Sequence, residues 1–540
     1  MSPERLDARG RPLRHAALTK ILCTLGPATE DDQTLEKLVR AGASLFRLNF
    51  SHGTFDEHKR RLEAVRRLAY RMNVPLTVIG DLQGPKIRIG SVPEGGIELE
   101  RGQEVVICST LAESVGGERP ELASDLSDIG REVEPGHRVL INDGAVRLLV
   151  TEGSGDRITA RVTVGGVVTS RKGLNLPDSE LSVPALTERD MEYVRWSVEN
   201  HLDYLALSFV RRASEVEDLI SRLGPMCADG HCGAPLDARS GQRRIPVIAK
   251  IETPQAVSAI EAIAASADGI MVARGDLGVE LDVAQVPMVQ KRLIRTAHDF
   301  GKPCIVATQM LESMITNPHP TRAEVSDVAN AIIDGADCVM LSGETAVGKY
   351  PIYAVETMRR VADAVESELG SLREVEPTAP KRLPRSRRAI AALTHGAWHM
   401  ARDAEARAIV IWSQGGGGAR YLSRHNFFVP ILAFSSDPFA VRRMNLLHAV
   451  HPVLWMDVPP HRSDFAAHAD RLLIDERWLE RGDAFIALGG KPLDRSGSTN
   501  TAAVRFAGDL LPTDEVEGEP GRPAASVTDA ERARAHGGGS

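Results

Sequence analysis

Eight short runs rich in Val, Ile and Leu recur along this chain, with amphipathic stretches between them. They run Thr19 to Pro27, Ser44 to Phe50, Pro75 to Leu82, Tyr204 to Val210, Ile245 to Glu252, Gly269 to Gly275, Pro303 to Gln309 and Cys338 to Glu344. Strands that are apolar throughout are buried on both faces, as in parallel sheets covered by helices, so eight such units predict a (β/α)8 barrel. Asp31 to Ala43, Phe55 to Arg71, Pro254 to Ala265 and Ala284 to Phe300 carry apolar residues at helical spacing. Thr54 and Glu57 stand at the spacing of a capping box at the start of the second helix.

The barrel is expected over 18–85 and 185–370. Between its third and fourth strands, 86–184 is rich in Val, Gly and Thr, with turn signals at Glu94-Gly95-Gly96 and Asn142-Asp143-Gly144. This segment predicts an inserted all-β lid domain, a small β-barrel. A Pro- and Arg-rich linker leads to a second α/β region at 385–511, while 1–17 and 512–540 have the composition of disordered arms. A content of 43% hydrophobic and 26% charged residues suits a soluble globular chain, and a net charge of −8 offers no footprint for nucleic acid. No apolar run is long enough for a membrane span or an export signal. Six cysteines in 540 residues are too sparse for a secreted disulfide scaffold and fit a reducing cytosol.

Barrel enzymes place their chemistry where strands end. Here those ends carry Arg47, Asn49 and Ser51, then Asp81 and Lys86, Ser208 and Arg211, Lys250 and Glu252, Asp276, Thr308 and Gln309, and Ser342 with Glu344. A lysine and two hard carboxylates on adjacent strand ends suit metal-assisted phosphoryl chemistry, in which the protein positions reactants and neutralises spread charge.

Ten motifs in order carry a resemblance: TKILCTLGPAT, RLNFSHG, DLQGPKIR, INDG, KGLNLP, LSFVR, AKIE, MVARGDLGVE, VATQMLESM and MLSGETAVGKYP. The chain resembles the pyruvate kinases, bacterial in type, strongly in the barrel and insert and more loosely in the C-terminal region. That resemblance implies a cytoplasmic homotetramer that moves the phosphoryl group of phosphoenolpyruvate to ADP, giving pyruvate and ATP, as the last step of glycolysis. It implies Mg²⁺ (or Mn²⁺) on Glu252 and Asp276, and charge neutralisation by Lys250 and Arg47. Ala273, Arg274, Gly275 and Asp276 would form a short helix start receiving the substrate carboxylate, joined by the Thr308 hydroxyl. Thr308 or Ser342 would relay a proton to the enolate. His52, Arg88 and Lys172 would meet the nucleotide, and Asn49, Ser51, Asp81 and the Leu82 backbone oxygen a monovalent cation.

Three departures stand out. Many members of the family need K⁺ and carry Glu where this chain has Lys86. An ammonium there, near Asp81, predicts membership of a Lys-containing subgroup and turnover without added K⁺. The phosphate loop of the C-terminal domain, usually hydroxyl-rich, reads Ser413-Gln414-Gly415-Gly416-Gly417-Gly418, yet Ser496, Gly497 and Ser498 keep a phosphorylated effector in view. Third, 224–244 is long for a helix-to-strand connection, and its Cys227, His231 and Cys232 fit a surface loop better than a zinc site, since two ligands are adjacent and a fourth is missing. A different barrel enzyme acting on phosphoenolpyruvate would not need KGLNLP, and a catalytically silent homologue would have lost Lys250, Arg47, Glu252 or Asp276.

Overall fold

The computed structural model describes residues 5–6, 12–13, 18–227, 232, 243–371, 379–425, 429–490, 492–493, 495 and 497–509. The expected tail 512–540 lies outside them, as does the arm 1–17 apart from an antiparallel pairing of Arg5–Leu6 with Pro12–Leu13.

All eight apolar runs become strands of one closed parallel barrel. They are β1 (Lys20–Thr24), β2 (Leu45–Asn49), β3 (Thr77–Asp81), β4 (Tyr204–Leu207), β5 (Val247–Ile251), β6 (Gly269–Ala273), β7 (Cys304–Ala307) and β8 (Cys338–Leu341). Alternate side chains serve two cores: Leu22, Leu45, Ile79, Ile248, Met271 and Ile305 fill the barrel interior, while Ile21, Phe46, Val78 and Val306 pack outward against the helices. Each such burial contributes about 1.5 to 3 kcal/mol.

The capping box forms as expected. Thr54 N donates to Glu57 Oε2 at 2.7 Å, and Glu57 N to Thr54 Oγ1 at 3.3 Å, opening helix Phe55–Met72. The helix expected over Pro254 to Ala265 is two, Pro254–Ser258 and Ile260–Ser266, because Ala259 leaves helical backbone at φ −92°, ψ 11°. The stretch from Ala284 opens as a 3-10 turn, and its α-helix runs Val286–Asp299 with a proline in the first turn, where no N–H is needed.

The insert is all β. Its six-stranded sheet runs in the order Leu174–Asn175, Arg138–Ile141, Val146–Ser154, Arg157–Val164, Glu104–Cys108 and Glu121–Ala123, beside a two-stranded sheet of Ile97–Leu99 and Gly166–Val168. Single bridges Arg88–Gly173 and Ile89–Ser124 set residues 88 and 89 between the two edges of the six-stranded sheet. Asn142, Asp143 and Gly144, all at positive φ, form the tight turn between Arg138–Ile141 and Val146–Ser154.

Five more strands form the C-terminal sheet: β9 (Ala408–Trp412), β10 (Ile431–Ser435), β11 (Val450–Leu454), β12 (Ala484–Gly490) and β13 (Thr499–Phe506), ordered 11-10-9-12-13 with only β13 antiparallel. This domain docks under the N-terminal ends of the barrel strands: Lys20 Nζ donates to Val450 O at 2.6 Å, and Arg442 Nε to Asp203 Oδ1 at the same distance. The opposite, C-terminal face is left to the insert.

Cys227 and Cys232 form a disulfide, correcting the expectation of a plain surface loop, and both sulfurs are buried. A Cys-x4-Cys spacing alone does not separate these outcomes. His231 lies outside the described residues. The other four cysteines are free and buried. No helix among the described residues is long and apolar enough to cross a membrane.

Candidate active site

The parallel register carries Arg47 of β2, Asp81 at the end of β3 and Lys250 of β5 to one rim of the barrel. Asp81, 1% exposed, accepts from Arg47 Nε at 2.6 Å through Oδ2, and its Oδ1 lies 3.2 Å from Lys250 Nζ. Lys250 also stands 3.0 Å from Glu252 Oε1 and donates to Ser208 Oγ at 2.7 Å. Ser208 in turn donates to Leu82 O at 2.7 Å. Burial alone would strip the proton from Lys250, but the Asp81 and Glu252 carboxylates outweigh it and raise the amine above its ordinary value. Burial likewise opposes ionisation of Asp81, and there Lys250 and Arg47 prevail and hold the carboxyl below its ordinary value. Lys250 is therefore charged, and it and Arg47 are both fixed and ready to face an anion.

Glu252 follows β5, and Asp276 lies in the first turn of helix Arg274–Glu280. The N–H of Phe209, a residue at φ 53°, donates to Glu252 Oε2 at 2.7 Å. Burial, joined by the Asp276 charge and opposed by Lys250, raises Glu252 above the ordinary carboxylate value. Two hard carboxylates crowded in this way suit a divalent cation, which would remove their repulsion. Among the described residues no cluster of three or more His, Cys, Asp or Glu forms a closed metal cage. Mg²⁺ held here would draw its other ligands from water and substrate oxygens.

Thr308, at φ 66°, accepts from Gly275 N at 2.7 Å, which ties the loop after β7 to the helix start. The Arg274 guanidinium is committed to structure: it donates to Thr308 O at 2.9 Å and Gln309 O at 3.0 Å and pairs with Asp327 at 2.6 Å. Ser342 donates its N–H to Glu344 Oε2 at 2.7 Å, while its own hydroxyl is buried and lacks a partner.

Asn49 Oδ1 accepts from Ser51 N at 3.2 Å, and the Leu82 carbonyl is already held by Ser208. The expected approach of Lys86 to Asp81 is not made: Arg47 and Lys250 occupy that carboxylate, and Lys86 lies against Gly173 of the insert. Arg88 pairs with Gly173, next to Lys172, so these two nucleotide candidates lie together on the insert, while the exposed His52 sits beyond β2. In the C-terminal domain Ser413 Oγ accepts from Ala419 N at 3.2 Å and Gly416 turns at φ 78°, opening the helix of the glycine run. Gly497 also has positive φ, Ser498 donates to Pro492 O at 2.7 Å, and Ser496 lies outside the described residues. Gly415 and Gly417 line cavities on both sides of the turn.

Two groups to which the sequence assigned no role belong to the site. Ser208 orients Lys250. Glu280 accepts from Asn175 Nδ2 of the insert at 2.9 Å and is pushed up to about 7, chiefly by burial. A lone Ser in LSFVR and a Glu one helical turn after Asp276 carry no spacing signal of their own.

Residues 16–355 match the pyruvate kinase barrel domain, and 391–505 the pyruvate kinase alpha/beta domain. A pyruvate kinase of Mycobacterium tuberculosis is 39% identical over 497 residues, covering 91% of this chain and 98% of that protein. One from Thermotoga maritima is 36% identical over 486 residues, covering 90% and 98%. The crystal structure of a pyruvate kinase from Cryptosporidium parvum superposes with a TM-score of 0.81 at 31% identity, over 92% of this chain and 98% of that one. Shared sequence over nearly the whole length, with the same barrel, establishes that the chain belongs to the pyruvate kinase family.

Proposed function

We propose that this chain transfers the phosphoryl group of phosphoenolpyruvate to ADP, yielding pyruvate and ATP, as the closing step of glycolysis. The observation that carries this reading is Lys250, clamped between Asp81 and Glu252 with Arg47 on the same Asp81. A β-phosphate oxygen of ADP forms a bond to phosphorus as the bond to the enol oxygen breaks, and the resulting enolate takes a proton at carbon to become pyruvate. Lys250 and Arg47 meet the charge on the equatorial oxygens, the role in which one lost donor costs roughly 10²- to 10³-fold in rate. The substrate carboxylate falls to the Gly275 and Asp276 end of the loop, beside Thr308. Glu252 and Asp276 would hold Mg²⁺ (or Mn²⁺), which would supply positive charge to the transferring group. The unpartnered hydroxyl of Ser342 supports its place, with Thr308, in the proton relay.

His52, Arg88 and Lys172 receive the nucleotide, and the insert 86–184 closes over it to exclude water. Lys86 lies away from Asp81 with the insert as it stands; closure of the insert would bring its ammonium to the place of the monovalent cation that Asn49, Ser51, Asp81 and Leu82 would otherwise hold, the arrangement of a Lys-containing subgroup. The barrel, 18–85 and 185–370, works in the cytoplasm within a homotetramer, and the domain 385–511 answers to a phosphorylated effector at Ser413, Gly415, Gly416 and 496–498. The test is a lactate-dehydrogenase-coupled assay with phosphoenolpyruvate, ADP and Mg²⁺ in tetramethylammonium buffer, with and without K⁺. Turnover in both supports the activity and Lys86; turnover only with K⁺ keeps the activity and discards Lys86 as the built-in cation; none in either, with candidate activators also tried, overturns the reading.

A further inference from the structure

The first α-helix of the C-terminal domain, Arg388–Asp403, carries the run Thr394-His395-Gly396-Ala397-Trp398-His399. Ala397, Trp398 and Ala401 seat this helix in the core of the domain, where it lies along β13. His395 and His399 stand four residues apart, one turn on, so both project from one face, and both are half-buried. Their rings meet edge to face with centroids 4.9 Å apart, and the two Nε2 atoms are 3.4 Å from each other. Burial closes off His395 Nδ1, which leaves Nε2 as the atom that ring presents.

Two neutral imidazoles so placed hold each other poorly, since one donates to the other across 3.4 Å, past the usual range of about 2.7 to 3.2 Å. A tetrahedral ion with metal–nitrogen bonds of about 2.0 to 2.1 Å sets two ligand nitrogens about 3.3 to 3.4 Å apart, which is the spacing found here. Histidines at i and i+4 on a helix are also the pair by which metalloprotease helices grip zinc. The next imidazole is His425, its ring centroid 5.4 Å from that of His395, but its Nε2 is turned to the Thr394 hydroxyl at 3.2 Å. Among the described residues no group of three His, Cys, Asp or Glu forms a metal cage, so water would fill the remaining positions around the pair.

We infer that His395 and His399 form a binding site for a divalent transition ion of the zinc class, held through both Nε2 atoms. Imidazole suits Zn²⁺, Ni²⁺ and Cu²⁺ and leaves Mg²⁺ to hard oxygen ligands such as Glu252 and Asp276. The two places therefore sort metals by ligand chemistry, and they lie in different domains: Glu252 follows β5 on the barrel rim, while the histidines belong to the domain docked under the opposite end. An ion joining successive turns binds only the formed helix, so occupancy stabilises the C-terminal domain. The inference is independent of the catalytic reading, since it is read by binding alone.

Isothermal titration of the full chain with Zn²⁺ tests it, on protein without an affinity tag, stripped with chelator and returned to excess Mg²⁺ at about pH 7.5, where imidazole is free to ligate. One Zn²⁺ binds per chain. His395→Gln and His399→Gln each raise its Kd at least tenfold, whereas His461→Gln, at an exposed position of the same domain, leaves it within twofold. His395→Cys, which exchanges a ligand nitrogen for a thiolate, keeps Zn²⁺ binding and so separates loss of a ligand from loss of packing. Urea midpoints rise with Zn²⁺ in the wild type and in His395→Cys, and stay put in the two glutamine variants. Absence of Zn²⁺ binding in excess Mg²⁺, affinity unmoved in both glutamine variants, or an equal loss in His461→Gln would overturn the assignment.

Discussion

Ser208 accepts a 2.7 Å hydrogen bond from Lys250 Nζ and donates one to the Leu82 carbonyl, so β3, β4 and β5 together aim one ammonium. Ser208→Ala removes the acceptor and leaves the two flanking carboxylates to set the lysine alone. A hydrogen bond to a charged group contributes about 1.5 to 3 kcal/mol, so kcat should fall on the order of tenfold or more while the KM for ADP stays nearly constant. Ser208→Thr, which retains the hydroxyl, should recover much of the rate; equal losses in both variants would mean that packing, not orientation, is at stake.

Lys250→Met removes the cation itself and should cost at least roughly 10²- to 10³-fold in kcat/KM. Near-normal turnover in the coupled assay would end the assignment. Asp81→Asn should weaken both Arg47 and Lys250 at once, so the double variant Asp81→Asn/Lys250→Met should be far less impaired than the product of the single losses.

The strand plan was legible because strands buried on both faces are written as continuous Val, Ile and Leu, and the polar rim because strand ends are where a barrel presents polar groups. Ser208 stands among those strand-end residues, but its role was not legible, since one hydroxyl among apolar neighbours reads equally well as a turn. The missing contact between Lys86 and Asp81 has a different cause. Sequence placed it close to Asp81 in number, but the chain leaves the barrel at that point and takes the side chain into the insert, against Gly173. Arg244 and Arg443 lie far apart in the chain, and only folding brings them to one cleft between the barrel floor and the C-terminal domain.

The Asn175 to Glu280 bond, 2.9 Å long, ties the insert to the barrel beside Asp276. If closure of the insert is part of turnover, Asn175→Ala should loosen the closed form, raising the KM for ADP severalfold with less effect on kcat. Small-angle scattering should show the wild type contracting with substrates present and the variant contracting less; identical wild-type profiles with and without substrates would argue against lid motion.

His425, 1% exposed, is pulled down to about 3, first by burial and then by the charges of His395, His298 and Arg424 nearby. Its folded pKa is below the unfolded value, so from about pH 6.5 downward the unfolded chain takes up a proton that the folded chain refuses. Stability is therefore lost as pH falls from 6.5 toward 3, by at most on the order of 5 kcal/mol from this group. His58, pulled down to about 4 by burial, acts in the same direction. Urea midpoints at pH 7, 6 and 5 should fall less steeply in His425→Gln than in the wild type.

Arg424 and Asp337 join the C-terminal domain to the barrel floor through a pair that water hardly reaches, at 3% and 1% side-chain exposure. Arg424 Nη1 donates to Asp337 Oδ2 at 2.7 Å and to Lys302 O at 2.8 Å, while Asp337 also accepts from Cys304 N at 2.9 Å and His448 N at 3.0 Å. Burial draws Arg424 down to about 10, so the ion pair recovers a desolvation cost more than it adds net stability. Removing one partner is then the damaging change. Arg424→Leu strands a buried carboxylate and should destabilise by about 3 to 5 kcal/mol, whereas the exposed pair Arg222 and Asp218, at 48% and 45%, should lose less than about 1 kcal/mol in Arg222→Ala. Adding Asp337→Leu to Arg424→Leu should recover part of the loss, because the stranded charge is gone. Urea unfolding of the three variants decides the matter: if Arg424→Leu costs no more than Arg222→Ala, the docking of the two domains does not depend on this pair.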